Sequence, residues 1–236
     1  MLVRPAAIIF DLDGTLVDDE SAVEAGLSAF HAVHGRALGL ALPELRLRWR
    51  ELFQQHFNRY LSGQVSMQEQ RRLRMRDLFA TSGRCLTDQE ADSAFSSYRR
   101  AYTAGWRTFP EVPQALDGLH GFRLAVLTNG NGDQQRAKLA ATGIAERFEG
   151  IFVSSEIGMA KPDQAAFRHV ASNLGVRERD CVFVGDNLDV DIRGAAQGGM
   201  DAILVDRRFD STARVPDLVT VSSLLEVVAI VRGRNG

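Results

Sequence analysis

Five short apolar runs without polar interruption recur along this sequence: Ala6–Phe10, Leu124–Leu127, Ile151–Val153, Cys181–Val184 and Ala202–Val205. A run of this length that does not alternate with polar residues reads as a strand buried on both faces, as in a parallel sheet. Parallel neighbours cannot be joined by tight turns and need long crossovers, usually helices. The stretches between the later runs supply them. Ala137, Ala140, Ala141 and Ile144 predict one apolar helical stripe, and Ala166, Phe167, Val170 and Leu174 another, with Gly143 and Gly175 placed to end them. The alternation predicts an α/β fold with a Rossmann-like, doubly wound parallel sheet as its core.

The connection between the first and second runs is far too long for a loop. Its pattern is helical throughout. Three capping boxes are expected to open helices, Ser21 with Glu24, Ser66 with Glu69, and Thr87 with Glu90. Apolar residues follow at helical spacing, as in Leu45, Trp49, Leu52, Phe53 and Phe57, then Ala91, Ala94, Phe95, Tyr98 and Tyr102. Trp49, Phe53 and Phe57 are expected to pack in a helical core. Residues 17–107 are therefore expected to form an inserted α-helical domain, and residues 1–16 with 108–236 the α/β core.

Charge divides along the same boundary. From Glu20 to Arg107 there are 13 arginines against 9 acids, and the rest of the chain has 15 basic and 21 acidic residues. Solvated faces of amphipathic helices account for such a surplus most simply; a basic lid beside an acidic, metal-binding core is the functional reading. The overall net charge of −2 leaves no footprint for a nucleic acid polymer or an anionic membrane, and no apolar stretch approaches a membrane span. The two cysteines, Cys85 and Cys181, suggest neither a disulfide framework nor a zinc site, and a cytoplasmic location is expected. His31, His34, His56, His120 and His169 lack the spacing of metal ligands and are expected at the surface or in packing. Nothing in the pattern sets an oligomeric state.

In open α/β sheets, ligands bind beyond the carboxyl ends of the strands. Three predicted strands end there in polar clusters: Asp11-Leu12-Asp13-Gly14-Thr15, Thr128-Asn129-Gly130, and Gly185-Asp186-Asn187-Leu188-Asp189-Val190-Asp191. Each cluster alone suits a helix cap; three on one edge point to a site. Asp11 and Asp13, two apart in extended chain, face the same side. Carboxylates held close repel unless one is protonated or a cation intervenes. Asp11 and Asp186 drawn together by a cation would offer hard oxygens suited to Mg²⁺ bound with a phosphate group. Asp13, turned from the metal, could keep a proton and act as an acid.

Asp11-Leu12-Asp13-Gly14-Thr15 resembles the nucleophile motif of the haloacid dehalogenase superfamily. Leu127-Thr128-Asn129-Gly130 is similar to its second motif, Lys161-Pro162 to its third, and Gly185-Asp186 with Asp191 to its acidic fourth. The insert is similar to that family's helical cap. The resemblance implies a Mg²⁺-dependent phosphatase acting on a small phosphorylated metabolite. Asp11 would be the nucleophile and Asp13 the acid and base. Thr128, the backbone at Asn129, and Lys161 would hold the phosphate. Asp11, the Asp13 backbone carbonyl and Asp186 would hold the metal, with Asp191 orienting its surroundings. Metal-independent 2-haloacid dehalogenases of the family generally lack an acid two residues after the nucleophile, so Asp13 speaks for phosphoryl transfer. A phosphomutase, and a non-catalytic binding or scaffold protein, are the other readings. The substrate (nucleotide, sugar phosphate or phosphoglycolate) is not fixed by these residues.

Overall fold

The computed structural model describes residues 5–207 and 218–233; residues 1–4, 208–217 and 234–236 of the expected 1–16 and 108–236 stretches lie outside it. The chain packs as two compact units, one being Asp19–Trp106 and the other the stretches that flank it.

The flanking stretches build a six-stranded sheet among the described residues, in the order β3-β2-β1-β4-β5-β6. Its strands are β1 (Ala7–Phe10), β2 (Arg123–Thr128), β3 (Gly150–Val153), β4 (Cys181–Gly185), β5 (Asp201–Val205) and β6 (Val219–Val221), all paired in parallel. This is a Rossmann-like doubly wound order, and its switch point lies between β1 and β4. β6 is an addition to the five apolar runs; its Val-Thr-Val is too short to stand out in the pattern.

Because side chains alternate along a strand, β1 feeds two cores. Ile8 and Phe10 join Val126, Val184, Val112, Leu116 and Val227 on one face, while Ala7 and Ile9 join Leu127, Phe183, Phe167 and Val170 on the other. The covering helices include α5 (Val112–Gly118), α6 (Gly132–Ala141), the short α7 (Ser154–Ile157) and α8 (Gln164–Asn173), then the one-turn α9 (Gly194–Gln197) and α10 (Leu224–Arg232). One expected face is wrong. Ala137, Ala140 and Ala141 are exposed on α6, and the helix buries Gln135, Lys138 and Leu139 instead.

The other unit is all helical: α1 (Asp19–Leu38), α2 (Leu42–Leu61), α3 (Met67–Ala80) and α4 (Asp88–Ala104). Phe30, Leu45, Trp49, Leu52, Leu78, Phe79, Phe95 and Tyr98 form its core. The Thr87–Glu90 capping box forms complete. At Ser66 only half of it does: the hydroxyl accepts from the Glu69 amide at 3.1 Å, while Glu69 turns to Arg76. Ser21 is not a cap, since α1 already begins at Asp19 and Glu24 is taken by Arg46. Phe53 is 41% exposed rather than packed in the core, and His56 occupies the buried position, paired with Asp77 at 2.7 Å. No described helix is long and apolar enough to cross a membrane.

Candidate active site

The site is built from strand ends at the switch point. β1 carries Phe10 opposite Val126 of β2 and Val184 of β4, so the residues that follow leave the sheet side by side. Asp11 continues β1 by donating its amide to the Val184 carbonyl at 2.9 Å. The chain then coils tightly: the amides of Leu16 and Val17 both reach the Leu12 carbonyl at 2.9 Å, and the Gly14 amide reaches Val17. Gly14 has φ of +85°, and a Cβ there would fall 2.3 Å from Asp186 Oδ2. Only glycine lets this loop pass so close to the end of β4. Arg207 supports the same loop, donating to the Thr15 carbonyl at 2.8 Å and pairing with Glu111.

Side-chain oxygens of Asp11, Asp186 and Asp191 lie within 4.8 Å of one another. Lys161 enters this acidic cluster, its Nζ 2.5 Å from Asp11 Oδ1 and 2.7 Å from Asp191 Oδ1. Lys161 and Asp191 are almost fully buried. Burial alone would push the lysine toward neutrality, but the two carboxylates outweigh it and hold it above its ordinary range. Asp191 is further fixed by the Asn187 amide on its second oxygen at 3.1 Å.

One ammonium does not balance three acids. The Asp11 carboxyl is raised, first by burial and then by Asp191, Asp186 and Asp13, with Lys161 pulling the other way. Asp186 is pushed up to about 6, first by lost hydration and then by Asp191. Its side chain still reaches solvent, so crowding by Asp191 is the part a bound cation would relieve. Three convergent carboxylates with uncompensated charge are suited to a hard divalent cation.

The end of β2 contributes Thr128 and Asn129. Asn129 clamps Lys161 through its side chain, accepting from the Lys161 amide at 2.9 Å and donating to the Lys161 carbonyl at 2.8 Å. The Asn129 amide group is thus spent on placing Lys161, which leaves its backbone for a ligand. Ser154 and Ser155 hold the turn that follows, accepting from the amides of Gly130 at 3.0 Å and Gly132 at 2.9 Å.

Two polar neighbours of Asp13 are absent from the apolar pattern. Gln135 Nε2 donates to Asp13 Oδ2 at 2.9 Å and to Thr128 Oγ1 at 2.7 Å. Lys138, fully buried, forms an ion pair with the other Asp13 oxygen. A carboxylate can only accept, so the nitrogen of the Gln135 amide must face Asp13. Thr128 then uses its oxygen as an acceptor, and its hydroxyl proton is left to donate forward. Asp11, Lys161, Asp186 and Asp191 form one cluster with Asn129 bonded to Lys161, while Asp13 stands outside that cluster, tied to α6 and linked through Gln135 to Thr128. The signal for Gln135 and Lys138 lay in their i, i+3 spacing on a helix that follows a polar strand end, and in the rarity of lysine: Lys138 and Lys161 are the only two.

A family model for haloacid dehalogenase-like hydrolases matches residues 5–199. The chain belongs to the haloacid dehalogenase-like hydrolases. It is 34% identical over 207 residues to a glyceraldehyde 3-phosphate phosphatase of Methanopyrus kandleri, covering 85% of this chain and 84% of that one. It is 38% identical over 143 residues to a phosphoserine phosphatase of Thermus thermophilus, an alignment covering 59% of this chain and only 55% of that relative's length. Among solved structures, the HAD-hydrolase YfnB of Bacillus subtilis, bound to magnesium, superposes with a TM-score of 0.82 at 22% identity and covers 98% of this chain and 100% of that one. Within this family the acidic cluster is suited to a divalent metal, and the named relatives are phosphatases.

Proposed function

We propose that this haloacid dehalogenase-like hydrolase is a Mg²⁺-dependent phosphatase that cleaves a small phosphate monoester through an aspartyl-phosphate on Asp11, with the helical unit as its cap domain. One observation carries the reading: Lys161 reaches Asp11 and Asp191 together inside a cluster that also holds Asp186. A nucleophilic carboxylate, a fixed cation and a divalent-metal donor set coincide there.

Asp11 attacks phosphorus in line, and the ester oxygen departs. Asp13, once it has taken up a proton, gives it to the leaving alcohol, then takes one from the water that opens the acyl phosphate and returns Asp11 to its carboxylate. Thr128, through its forward-pointing hydroxyl, and the Asn129 backbone amide hold phosphoryl oxygens. Lys161 neutralises charge that accumulates between Asp11 and the phosphoryl group. Asp11, the Asp13 backbone carbonyl and Asp186 would hold Mg²⁺, steadied by Asp191. Bound there, Mg²⁺ supplies positive charge to the phosphoryl oxygens and screens the attacking carboxylate from them. The substrates named for the two relatives, phosphoserine and glyceraldehyde 3-phosphate, support a small phosphorylated metabolite.

A panel of phosphate esters assayed with Mg²⁺ and again with chelator tests the reading. Turnover of a small ester that needs the metal is expected. Release of halide from 2-chloropropionate in chelator, without ester hydrolysis, would assign the chain to dehalogenation instead. Transfer of phosphate between sugar hydroxyls without release would assign it to a phosphomutase.

A further inference from the structure

Buried arginines in proteins nearly always meet a carboxylate or several carbonyl oxygens. Arg74, on the inward side of α3, meets neither. It is only 4% exposed, and its buried Nε has no hydrogen-bond partner. Among the described residues its guanidinium meets aromatic rings alone: the centroids of Trp49, Phe53 and Phe95 lie 4.9, 5.2 and 5.2 Å from its central carbon. Arg71, one turn earlier, stands over the same Phe95 ring at 5.3 Å. Two cations thus share one ring.

The outward side of the same helix is arranged differently. Arg72 pairs with Asp88 at 2.7 Å and Asp92 at 2.6 Å, and Arg76 pairs with Asp88 and Glu69. Asp88 and Asp92 of α4 are engaged there, and Glu90 caps the helix at Thr87. Toward Arg74 and Arg71, α4 and the end of α2 present Phe95, Tyr98, Tyr102, Tyr60 and Arg99. Burial is the main reason Arg74 is pushed down to about 10, and Arg71 adds to it; it remains charged at neutral pH. Ring faces attract a desolvated cation but carry no formal charge, so among the described residues the buried Arg74 guanidinium has no carboxylate beside it. Of the three rings, Phe53 is the one at the surface, 41% exposed and stacked on Phe57 at 4.9 Å.

We infer that Arg74 is a binding site within the helical unit for the oxyanion of a small molecule, a carboxylate or a phosphoryl group. Arg74 Nε has no hydrogen-bond partner, and the guanidinium edge to which it belongs can take two oxygens of either anion at once. Trp49, Phe53 and Phe95 supply a low-dielectric surround in which the pairing gains strength. The site involves only α2, α3 and α4, so it stands or falls separately from the phosphatase reading.

Trp49 is an internal reporter, since its ring lies 4.9 Å from the Arg74 guanidinium. The protein is titrated with acetate, and separately with methylphosphonate, at ionic strength held constant with chloride, while tryptophan emission is followed. A saturating change with acetate, with methylphosphonate or with both is expected, and the arm that saturates identifies a carboxylate or a phosphoryl source. In R74M the response should vanish while the melting temperature stays at or above that of the parent, because an unpaired buried charge has been removed. In R74K, which keeps the charge without the planar fork, affinity should fall about tenfold. No saturable response to either anion in the parent, or an undiminished response in R74M, would overturn the proposal.

Discussion

The side-chain amide of Gln135 donates to the Asp13 carboxylate at 2.9 Å, joining a residue of α6 to the loop after β1. The same nitrogen reaches Thr128 at 2.7 Å, and Lys138 pairs with the remaining Asp13 oxygen. Asp13 is thus aimed by α6 rather than by its own loop. Gln135→Leu keeps the shape and removes both hydrogen bonds. A hydrogen bond to a charged group contributes about 1.5–3 kcal/mol, so kcat should fall roughly 10- to 100-fold. KM should change little, because the fault lies in aim rather than in binding, while the melting temperature should fall by a few degrees with the lost hydrogen bonds. Lys138→Met should act in the same direction. Steady-state kinetics of both variants check this; a rise in KM with kcat intact would show that α6 serves substrate binding instead.

Asp13→Asn separates the two halves of the proposed reaction. With an alkyl phosphate the loss should be severe. With p-nitrophenyl phosphate it should be milder, since nitrophenolate departs without a proton. The second half still lacks its base, so phosphoenzyme should accumulate. Equal losses on both substrates with no accumulated intermediate would remove Asp13 from proton transfer.

Gly14→Ala tests whether the first loop and Asp186 must touch. The new methyl would meet Asp186 Oδ2 at 2.3 Å on a backbone with φ of +85°. Strain of this kind costs about 1–3 kcal/mol, and the Mg²⁺ concentration needed for half activity should rise as Asp186 is displaced. Melting curves and metal titrations measure the two effects. Unchanged metal dependence would mean that Asp186 is not needed at that position.

Crowding of the acids has a pH signature. A carboxyl raised by folding adds stability while protonated and loses it as pH climbs through its folded pKa. For Asp186 that window runs from the ordinary 3.8 to about 6. In chelator, Asp186→Asn should melt at the same temperature as the parent near pH 4 and above it at pH 7, with the gap opening across the window. Mg²⁺ should close the gap by stabilising only the parent. A parent that outmelts the variant at pH 7 without metal would contradict the account of the cluster.

The strand ends were legible because an apolar run stops abruptly where a polar cluster begins, as at Phe10–Asp11 and Leu127–Thr128. The convergence of Asp11, Thr128 and Asp186 follows from parallel strands alone. The inward face of α6 was not legible, because alanine spacing pointed to Ala137 and Ala140 while the helix buries Gln135 and Lys138. Their partner, Asp13, lies more than a hundred residues earlier, beyond the reach of local periodicity. Arg74 was hidden for a related reason: an arginine among arginines reads as a solvated face, and only packing against Trp49 and Phe95 reveals that it points inward.

The central claim is that phosphorus passes through Asp11. The most direct measurement is a rapid acid quench of the enzyme with Mg²⁺ and a turned-over ester labelled in its phosphoryl group, followed by mapping of the labelled peptide. The account predicts a label that survives acid, is lost to hydroxylamine, sits on Asp11, and is absent from Asp11→Asn along with turnover. Label on another residue would contradict it, and so would more than about one percent of parental turnover in deamidation-free Asp11→Asn, a barrier loss under roughly 3 kcal/mol.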